Sequence, residues 1–329
     1  MSNKFIFFAL IPLLLILYPS GTPLSGYRDS WESDDINKST IPYLPDHYQG
    51  GAYADLPYGE TRYWLFGPED GKKITLVHGI ATPAAIFTDV AAELAKKGYR
   101  VLVFDLYGRG YSASPSVPNN DALFVSQLAM LLKKIGWKKT DLLGVSLGGG
   151  IVVSFTRHFP ETVNSLILLA PVGLMDATDI PVYARALKLP GVSSILVNSF
   201  TRRLMESLLR WHISRNPDDD SNDSRLKKLQ QISSYQFANH LGFLHSFAST
   251  VKHFPFSDLG KAYEEVGKQN RKVMVIWGEE DTTVPYIHSE KVISYIPDAK
   301  LVKLTGDGHN FHVFRPEYVG SMVDEFLRT

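Results

Sequence analysis

The stretch that most constrains this fold is the pentapeptide 144–148, Gly-Val-Ser-Leu-Gly, which lies between two apolar runs at 140–143 and 151–155. The first run predicts a buried strand, and the second predicts a helix that ends before Pro160. A serine at so sharp a turn needs a strained backbone, and glycines beside it avoid collisions with the neighbouring strand and helix. The pattern therefore predicts that the Ser146 hydroxyl lies at a sheet edge, beside a helix N-terminus.

Taken alone, five residues also fit a glycine-rich turn with an unreactive serine, because short patterns arise by chance. The surrounding chain supplies more evidence, since apolar strand-like runs alternate with amphipathic helical segments. A hairpin over 51–66 comes first, and the later predicted strands cover residues 73–77, 99–104, 140–143, 165–170, 272–277 and 300–304. Continuous Val, Ile and Leu strands separated by helices predict an α/β fold with a mostly parallel sheet covered by helices on both faces.

The alternation stops between residues 173 and 256, where helical stretches rich in arginine, serine and aromatic residues replace it. One of these stretches covers 226–247. Because the sheet pattern resumes afterwards, we expect this block to be a helical lid over the edge where open α/β sheets bind ligands. The predicted organisation is an N-terminal signal-anchor or signal peptide at 1–27, a linker at 28–48, an α/β core at 49–172 and 257–329, and the lid at 173–256.

The N-terminal segment has an apolar run at 5–18 after Lys4, and no further charge occurs before Arg28. Pro23 interrupts the small residues 20–22 that would form a cleavage site, which favours an uncleaved signal-anchor over cleaved secretion. The expected localisation is therefore the membrane of the secretory pathway, at the endoplasmic reticulum or beyond, with secretion as the alternative.

Composition excludes several classes of function. The chain has 34 Lys and Arg against 34 Asp and Glu, so its formal charge is zero and no nucleic-acid partner is expected. It has no cysteine, which excludes disulfides, thiolate metal sites and cysteine nucleophiles. Glycines 148–150 lack the Gly-Lys-Ser/Thr of a phosphate-binding loop, and no metal-ligand spacing occurs, so we expect neither a cofactor nor a metal. No protein partner is implied.

A serine nucleophile needs a histidine base and a carboxylate that orients the imidazole. Four motifs occur in an order that resembles the α/β-hydrolase family, in its lid-bearing serine-hydrolase branch. They are His78-Gly79-Ile80, Asp105 to Ser112, the pentapeptide around Ser146, and Trp277 to Pro285 followed by Gly306 to His309. The resemblance extends over nearly all of Gly51 to Thr329.

The resemblance implies a role for each of five residues. Ser146 would be the nucleophile, Asp281 the orienting acid and His309 the base. The backbone N–H groups of Ile80 and Leu147 would form the oxyanion hole.

Nearby residues offer alternatives. Glu279 and Glu280 lie beside the predicted acid, and some family members carry the acid after the sixth strand, where this chain has Asp176. His312 lies close to the predicted base. His78 is interpreted as a structural brace of its loop.

The predicted activity is hydrolysis of a carboxylic ester of an apolar or lipid-like small molecule. The aromatic residues of the lid support an apolar substrate: Trp211, Phe237, Phe243, Phe247 and Phe254. Three alternatives keep the same triad, namely cleavage of a carbon–carbon bond, amide hydrolysis and acyl transfer. A non-catalytic relative with the same fold is the last alternative. Membrane association is expected through residues 1–27.

Overall fold

The computed structural model describes residues 41–180 and 223–329, and eight strands in these ranges form one sheet. The strands are β1 (Gly51–Leu56), β2 (Gly59–Phe66), β3 (Lys72–Val77), β4 (Tyr99–Phe104), β5 (Thr140–Val145), β6 (Val163–Leu169), β7 (Val273–Gly278) and β8 (Lys300–Leu304). Their order is β1-β2-β4-β3-β5-β6-β7-β8. The β1–β2 and β2–β4 pairs are antiparallel and all the other pairs are parallel, which confirms the predicted fold class.

Helices cover the sheet and bury its apolar strands. They are α1 (Thr88–Lys96), α2 (Asp121–Lys134), α3 (Leu147–His158), α4 (Ser224–Asn239), α5 (Leu241–His253), α6 (Gly260–Gly267), α7 (His288–Tyr295), α8 (Phe311–Phe314) and α9 (Pro316–Arg328). Helix α1 packs against α9, whereas α3 packs against α2 and α6. Every residue of the central strands β5 and β7 is buried, as expected for parallel strands covered on both faces.

Two helices of the predicted lid, α4 and α5, lie between β6 and β7 in the chain. The prediction of one helix over 226–247 is wrong, because His240 has an extended backbone (φ −86°, ψ 104°) that separates them. Asn239 and Gly242 flank this break, and both residue types are weak helix formers. The helices predicted at 182–189 and 194–213 lie outside the described residues.

Helix α5 is docked on the loop that follows β4. The Ser114 and Ser246 hydroxyl oxygens are 2.7 Å apart, and the Ser249 hydroxyl accepts a hydrogen bond from the Asn119 N–H at 3.0 Å. A Cβ added at Gly108 would lie only 1.9 Å from the Ser246 hydroxyl oxygen. Glycine at this position therefore allows the helix to pack directly on the loop.

Residues 41–48, at the end of the predicted linker, contact the core. Tyr43 is fully buried, and its hydroxyl donates to the Asp105 carboxylate at 3.2 Å. The indole N–H of Trp64 donates to the Pro45 carbonyl at 2.9 Å. The helices in the described part of the chain are all too short or too polar to cross a bilayer. The predicted N-terminal segment at 1–27 lies outside the described residues.

Candidate active site

Ser146 occupies the sharp turn between β5 and α3. Its backbone has φ 54° and ψ −116°, a conformation that costs a residue with a side chain about 1–3 kcal/mol. Two hydrogen bonds hold it in place. Its N–H donates to the Leu169 carbonyl at 2.9 Å, and its carbonyl accepts from the Val172 N–H at 3.1 Å. The turn therefore has the strained backbone that the sequence predicts.

The two glycines around Ser146 are required by close packing. A Cβ at Gly144 would lie 2.4 Å from the Gly148 carbonyl oxygen, and a Cβ at Gly148 would lie 2.0 Å from the Val77 carbonyl oxygen. The start of α3 is thus pressed against the end of β3. This packing brings Ser146 next to the loop that follows β3, where His78 and Ile80 lie.

His309 and Asp281 form a hydrogen-bonded pair. The Nδ1 atom of His309 lies 2.6 Å from the Asp281 Oδ2 atom. The other oxygen, Oδ1, accepts hydrogen bonds from the N–H groups of Thr283 and Val284, both at 2.8 Å. The Asp281 side chain is completely buried, and that of His309 is 14% exposed. The carboxylate is therefore fixed in orientation by the backbone and holds the imidazole by its remaining oxygen.

The loops that carry this pair are joined to each other. The N–H of Glu280 donates to the Asp307 carbonyl and the N–H of Glu279 donates to the Leu304 carbonyl, both at 2.9 Å. A Cβ at Gly278 would lie 2.3 Å from the Asp307 carbonyl oxygen, so the two loops are in direct contact. These contacts explain how residues 28 positions apart reach hydrogen-bonding distance.

The alternative acids have other surroundings. Glu279 forms an ion pair with Lys303 at 2.8 Å, and Asp176 forms one with Lys291 at 2.6 Å. Glu280 is exposed. Among these candidates, the structure brings Asp281 to the histidine.

Ser146 and His309 line the same cavity, which has a volume of about 400 Å³. One face of α4 forms a wall of it, through residues at helical spacing: Leu226, Leu229, Gln230, Ser233, Ser234 and Phe237. The loop 79–82 and the side chains of Thr283 and Asn310 form other parts of the wall. The described part of this wall contains no Asp, Glu, Lys or Arg. The sequence prediction missed this helix face, although its spacing was present in the sequence.

The two predicted oxyanion donors lie beside the serine. Leu147 is the first residue of α3, where a helix leaves its N–H groups without intrahelical acceptors. Ile80 lines the cavity, and a Cβ at neighbouring Gly79 would lie 3.7 Å from the Ser146 Cβ atom. In the ranges 41–180 and 223–329, neither N–H has a hydrogen-bond acceptor. Within the described ranges, both groups therefore have an unused capacity to donate a hydrogen bond.

His78 joins the loops after β3 and β4. Its Nε2 atom accepts from the Leu106 N–H at 2.9 Å, so its Nδ1 carries the proton that is donated to the Gly79 carbonyl at 2.8 Å. Burial lowers the pKa of His78 to about 3, which keeps the ring neutral. The ring acts as the brace that the sequence predicts.

His312 differs from His309 in its contacts. It is buried, burial lowers its pKa to about 3, and neither ring nitrogen has a hydrogen-bond partner among the described residues. It lines the cavity, but the contact with Asp281 belongs to His309.

The aromatic residues of the predicted lid divide into two groups. Phe237 lines the cavity, whereas Phe243 and Phe247 pack behind it with ring centroids 4.7 and 5.5 Å from its own. Phe254 packs on Phe124 of α2. Trp211 lies outside the described residues. Of this set, Phe237 is the one that the described wall presents to a ligand.

Comparison with known proteins agrees with this architecture. A family model described as "alpha/beta hydrolase fold" matches residues 74–316, more than half of the chain. The chain belongs to the α/β-hydrolase family. A serine hydrolase-like protein from Danio rerio is 22% identical to this α/β hydrolase over 294 residues, which cover 83% of this chain and 86% of the relative.

Two further similarities concern hydrolases with different substrates. The 2-hydroxymuconate semialdehyde hydrolase of Pseudomonas putida is 27% identical over 267 residues, covering 78% of this chain and 88% of that one. The crystal structure of the enol-lactonase from Burkholderia xenovorans LB400 is 19% identical with a TM-score of 0.69, covering 84% of this chain and all of the other. At that identity, the likeness to the enol-lactonase shows the fold alone.

Proposed function

We propose that this α/β hydrolase cleaves a carboxylic ester through an acyl-enzyme, with Ser146, His309 and Asp281 as its catalytic triad. The observation that carries the proposal is the shared cavity of Ser146 and His309. The His309 imidazole is hydrogen-bonded to the Asp281 carboxylate, and two backbone N–H groups fix the orientation of that carboxylate. Nucleophile, base and orienting acid are the three groups that acyl transfer to a serine requires.

The proposed reaction has two halves. The Ser146 oxygen attacks the ester carbonyl carbon while Nε2 of His309 takes the hydroxyl proton, and Asp281 stabilises the resulting imidazolium. The oxyanion accepts hydrogen bonds from the Ile80 and Leu147 N–H groups. The carbon–oxygen bond to the alcohol then breaks, and His309 returns its proton to that alcohol. Water, deprotonated by the same nitrogen, next attacks the acyl carbon. The bond from that carbon to the Ser146 oxygen then breaks, the Ser146 oxygen takes the proton from His309, and the acid is released.

The cavity wall supports an uncharged, partly apolar substrate. Its volume of about 400 Å³ is in the range of small-molecule sites. The roof contributed by α4 has apolar groups at both ends, Leu226 and Phe237, and hydroxyls of Ser233 and Ser234 between them. This arrangement suits an ester with an apolar body and a polar group near its middle.

The second candidate is cleavage of a carbon–carbon bond by the same triad. The similarity to a hydrolase of 2-hydroxymuconate semialdehyde, whose named substrate is not an ester, supports it. Amide hydrolysis and acyl transfer to an alcohol use the same residues. A panel of p-nitrophenyl esters of varied chain length, diketones and amides separates these activities by their relative kcat/KM.

Labelling by a fluorophosphonate probe tests the role of Ser146. We expect the wild-type protein to be labelled and Ser146→Ala to remain unlabelled. Ser154→Ala is the matched control, because Ser154 is also buried on α3 but bonds Asp121 instead of lining the cavity. Absence of labelling on the wild-type protein, or labelling that persists in Ser146→Ala, would contradict the proposal.

We further propose that residues 1–27 tether the enzyme to a membrane of the secretory pathway, which would favour a lipid-like ester. The support is the uncharged apolar sequence between Lys4 and Arg28. Protease treatment of sealed vesicles that carry the full chain tests this proposal. Recovery of the full chain in the soluble fraction would contradict it.

A further inference from the structure

Three consecutive carbonyl groups in the loop after β3, residues 78–82, each accept a hydrogen bond from a side chain. We call this segment the oxyanion loop. The Gly79 carbonyl accepts from Nδ1 of His78 at 2.8 Å. The Ile80 carbonyl accepts from Nε of Arg109 at 3.2 Å, and the Ala81 carbonyl accepts from Nε2 of Gln236 at 2.8 Å. The three donors come from three different parts of the chain.

These bonds restrict where the Ile80 N–H can point. A peptide unit is planar, so the Gly79 carbonyl and the Ile80 N–H point in opposite directions. A loop has no ladder of backbone hydrogen bonds to hold its peptide planes, and side-chain partners can hold them instead. The bond to the Gly79 carbonyl therefore holds the peptide unit that carries the Ile80 N–H, and the bonds to the Ile80 and Ala81 carbonyls hold the two peptide units that follow it.

Arg109 is a buried cation without a carboxylate partner within ion-pair distance in the described part of the chain. Burial lowers its pKa to about 9. Besides Ile80, its guanidinium donates to the Tyr107 carbonyl and to the Thr250 hydroxyl, both at 2.9 Å. An uncompensated buried charge is costly, so its hydrogen bonds to oxygen atoms must offset a large desolvation penalty. One of those oxygens belongs to the oxyanion loop and another to helix α5.

Gln236 makes a similar connection from helix α4. It is fully buried, and its Oε1 atom accepts from the Gly110 N–H at 2.8 Å while its Nε2 holds Ala81. One turn earlier, the Ser233 hydroxyl lies 3.0 Å from the Thr82 hydroxyl. The helix that roofs the cavity is thus bonded directly to the oxyanion loop.

We infer that Arg109 and Gln236 are positioning residues. They hold the two peptide units that follow the Ile80 N–H, restrict its orientation through the adjoining backbone, and couple it to the docking of α4 and α5. This inference rests on the proposed function, in which that N–H stabilises the oxyanion. Neither side chain touches the reacting atoms in this scheme. Their contribution should therefore appear in kcat, because the oxyanion develops after substrate has bound.

Gln127 provides a matched control for Gln236. It is also a buried glutamine that bonds the loop after β4, accepting from the Tyr107 N–H at 3.0 Å and donating to the Asp105 carbonyl at 3.1 Å. Within the described ranges, Gln127 makes no hydrogen bond to the oxyanion loop. Methionine at either position has a similar shape but lacks the amide hydrogen bonds, so both variants lose comparable stability. Only Gln236→Met releases the Ala81 carbonyl.

The experiment measures kcat and KM of the full chain on an ester that the wild-type enzyme cleaves, together with the free energy of unfolding. Complete loss of one oxyanion donor lowers kcat roughly 10²–10³-fold, so a misdirected donor in Gln236→Met should lower it about tenfold. We expect KM to change less than about threefold. Gln127→Met should keep kcat within about twofold of the wild-type value.

A second pair of variants covers the case in which Gln236→Met fails to fold. Thr250→Val removes the acceptor of the Arg109 guanidinium on α5, and about a threefold loss of kcat is expected from this indirect change. Thr156→Val is its control, since both threonines are buried and bond the carbonyl four residues earlier.

The inference is overturned when Gln236→Met, or Thr250→Val in its place, retains the kcat of its control. It is also overturned when KM alone changes. A wild-type chain that neither cleaves esters nor reacts with the fluorophosphonate refutes the proposed function, and the inference falls with it. The two failures are therefore distinguishable.

Discussion

Asparagine at position 281 should inactivate the enzyme while leaving its fold intact. Oδ1 of Asp281 accepts the N–H groups of Thr283 and Val284, and an asparagine oxygen can do the same. The amide NH₂ must then face Nδ1 of His309, where the wild-type carboxylate oxygen lies at 2.6 Å. Because an NH₂ group donates, Nδ1 has to accept, and the ring proton moves to Nε2. In the proposed reaction, that nitrogen could then no longer take the proton of Ser146.

The expected size follows from this change of tautomer. A triad histidine held in the wrong tautomer costs about 10⁴ in kcat, which corresponds to about 5 kcal/mol in the barrier. Rotation of the asparagine amide could restore the tautomer only at a cost in free energy. It would place NH₂ hydrogens against the Thr283 and Val284 N–H groups and leave the buried Val284 donor unsatisfied, at about 1–3 kcal/mol.

The assay compares kcat on one ester for the wild-type enzyme, Asp281→Asn and Asp176→Asn, with unfolding in urea measured in parallel. Asp176 is the control because its side chain is 61% exposed and pairs with Lys291. We expect Asp176→Asn to stay within about twofold of wild type, since exposed ion pairs contribute little. The reasoning is refuted if Asp281→Asn retains more than a tenth of the activity or if Asp176→Asn loses as much.

Three further predictions concern stability. Ser146→Gly should unfold in urea with a free energy about 1 kcal/mol higher than Ser146→Ala, because glycine adopts φ 54° without strain; equal stabilities would contradict this. Gly148→Ala should lose about 3 kcal/mol, since its Cβ would lie 2.0 Å from the Val77 carbonyl oxygen, and an unchanged Tm would argue against it. His312 has a folded-state pKa of about 3, below the usual value of about 6.5, so the folded protein binds fewer protons and the wild type loses stability as pH falls through this window. His312→Phe lacks this titrating group. Between pH 7 and pH 5, its free energy of unfolding should therefore fall by about 2 kcal/mol less than that of the wild type, as measured by urea unfolding at both pH values.

Local sequence was sufficient to predict the sheet because its strands are short, continuous apolar runs. The predicted strands at 99–104 and 300–304 have the observed bounds, and those at 140–143 and 165–170 differ by two residues or fewer at each end. The helical regions after the sixth strand were harder. The break at His240 has no proline to mark it, and short α6 depends on packing against α3, which the local sequence does not show.

The residues of the candidate site also fall into two groups, those that local sequence could predict and those that depend on how the helices pack. Ser146, Asp281 and His309 occur in short motifs after predicted strands, so their order along the chain indicated where each would lie. Arg109 and Gln236 could not be assigned to the oxyanion loop in this way. Their partners are 29 and 155 residues away, and these contacts exist only once α4 and α5 have docked.

The buried contact between Tyr43 and Asp105 has a practical consequence for work with fragments of this protein. The same carboxylate also accepts the N–H groups of Ala84 and Tyr111, at 2.8 and 3.0 Å, and burial raises its pKa to about 7. A recombinant fragment that starts at Gly51 would remove one donor and expose this carboxylate to solvent. Fragments for crystallisation or screening should therefore begin before residue 41, even when residues 1–27 are omitted.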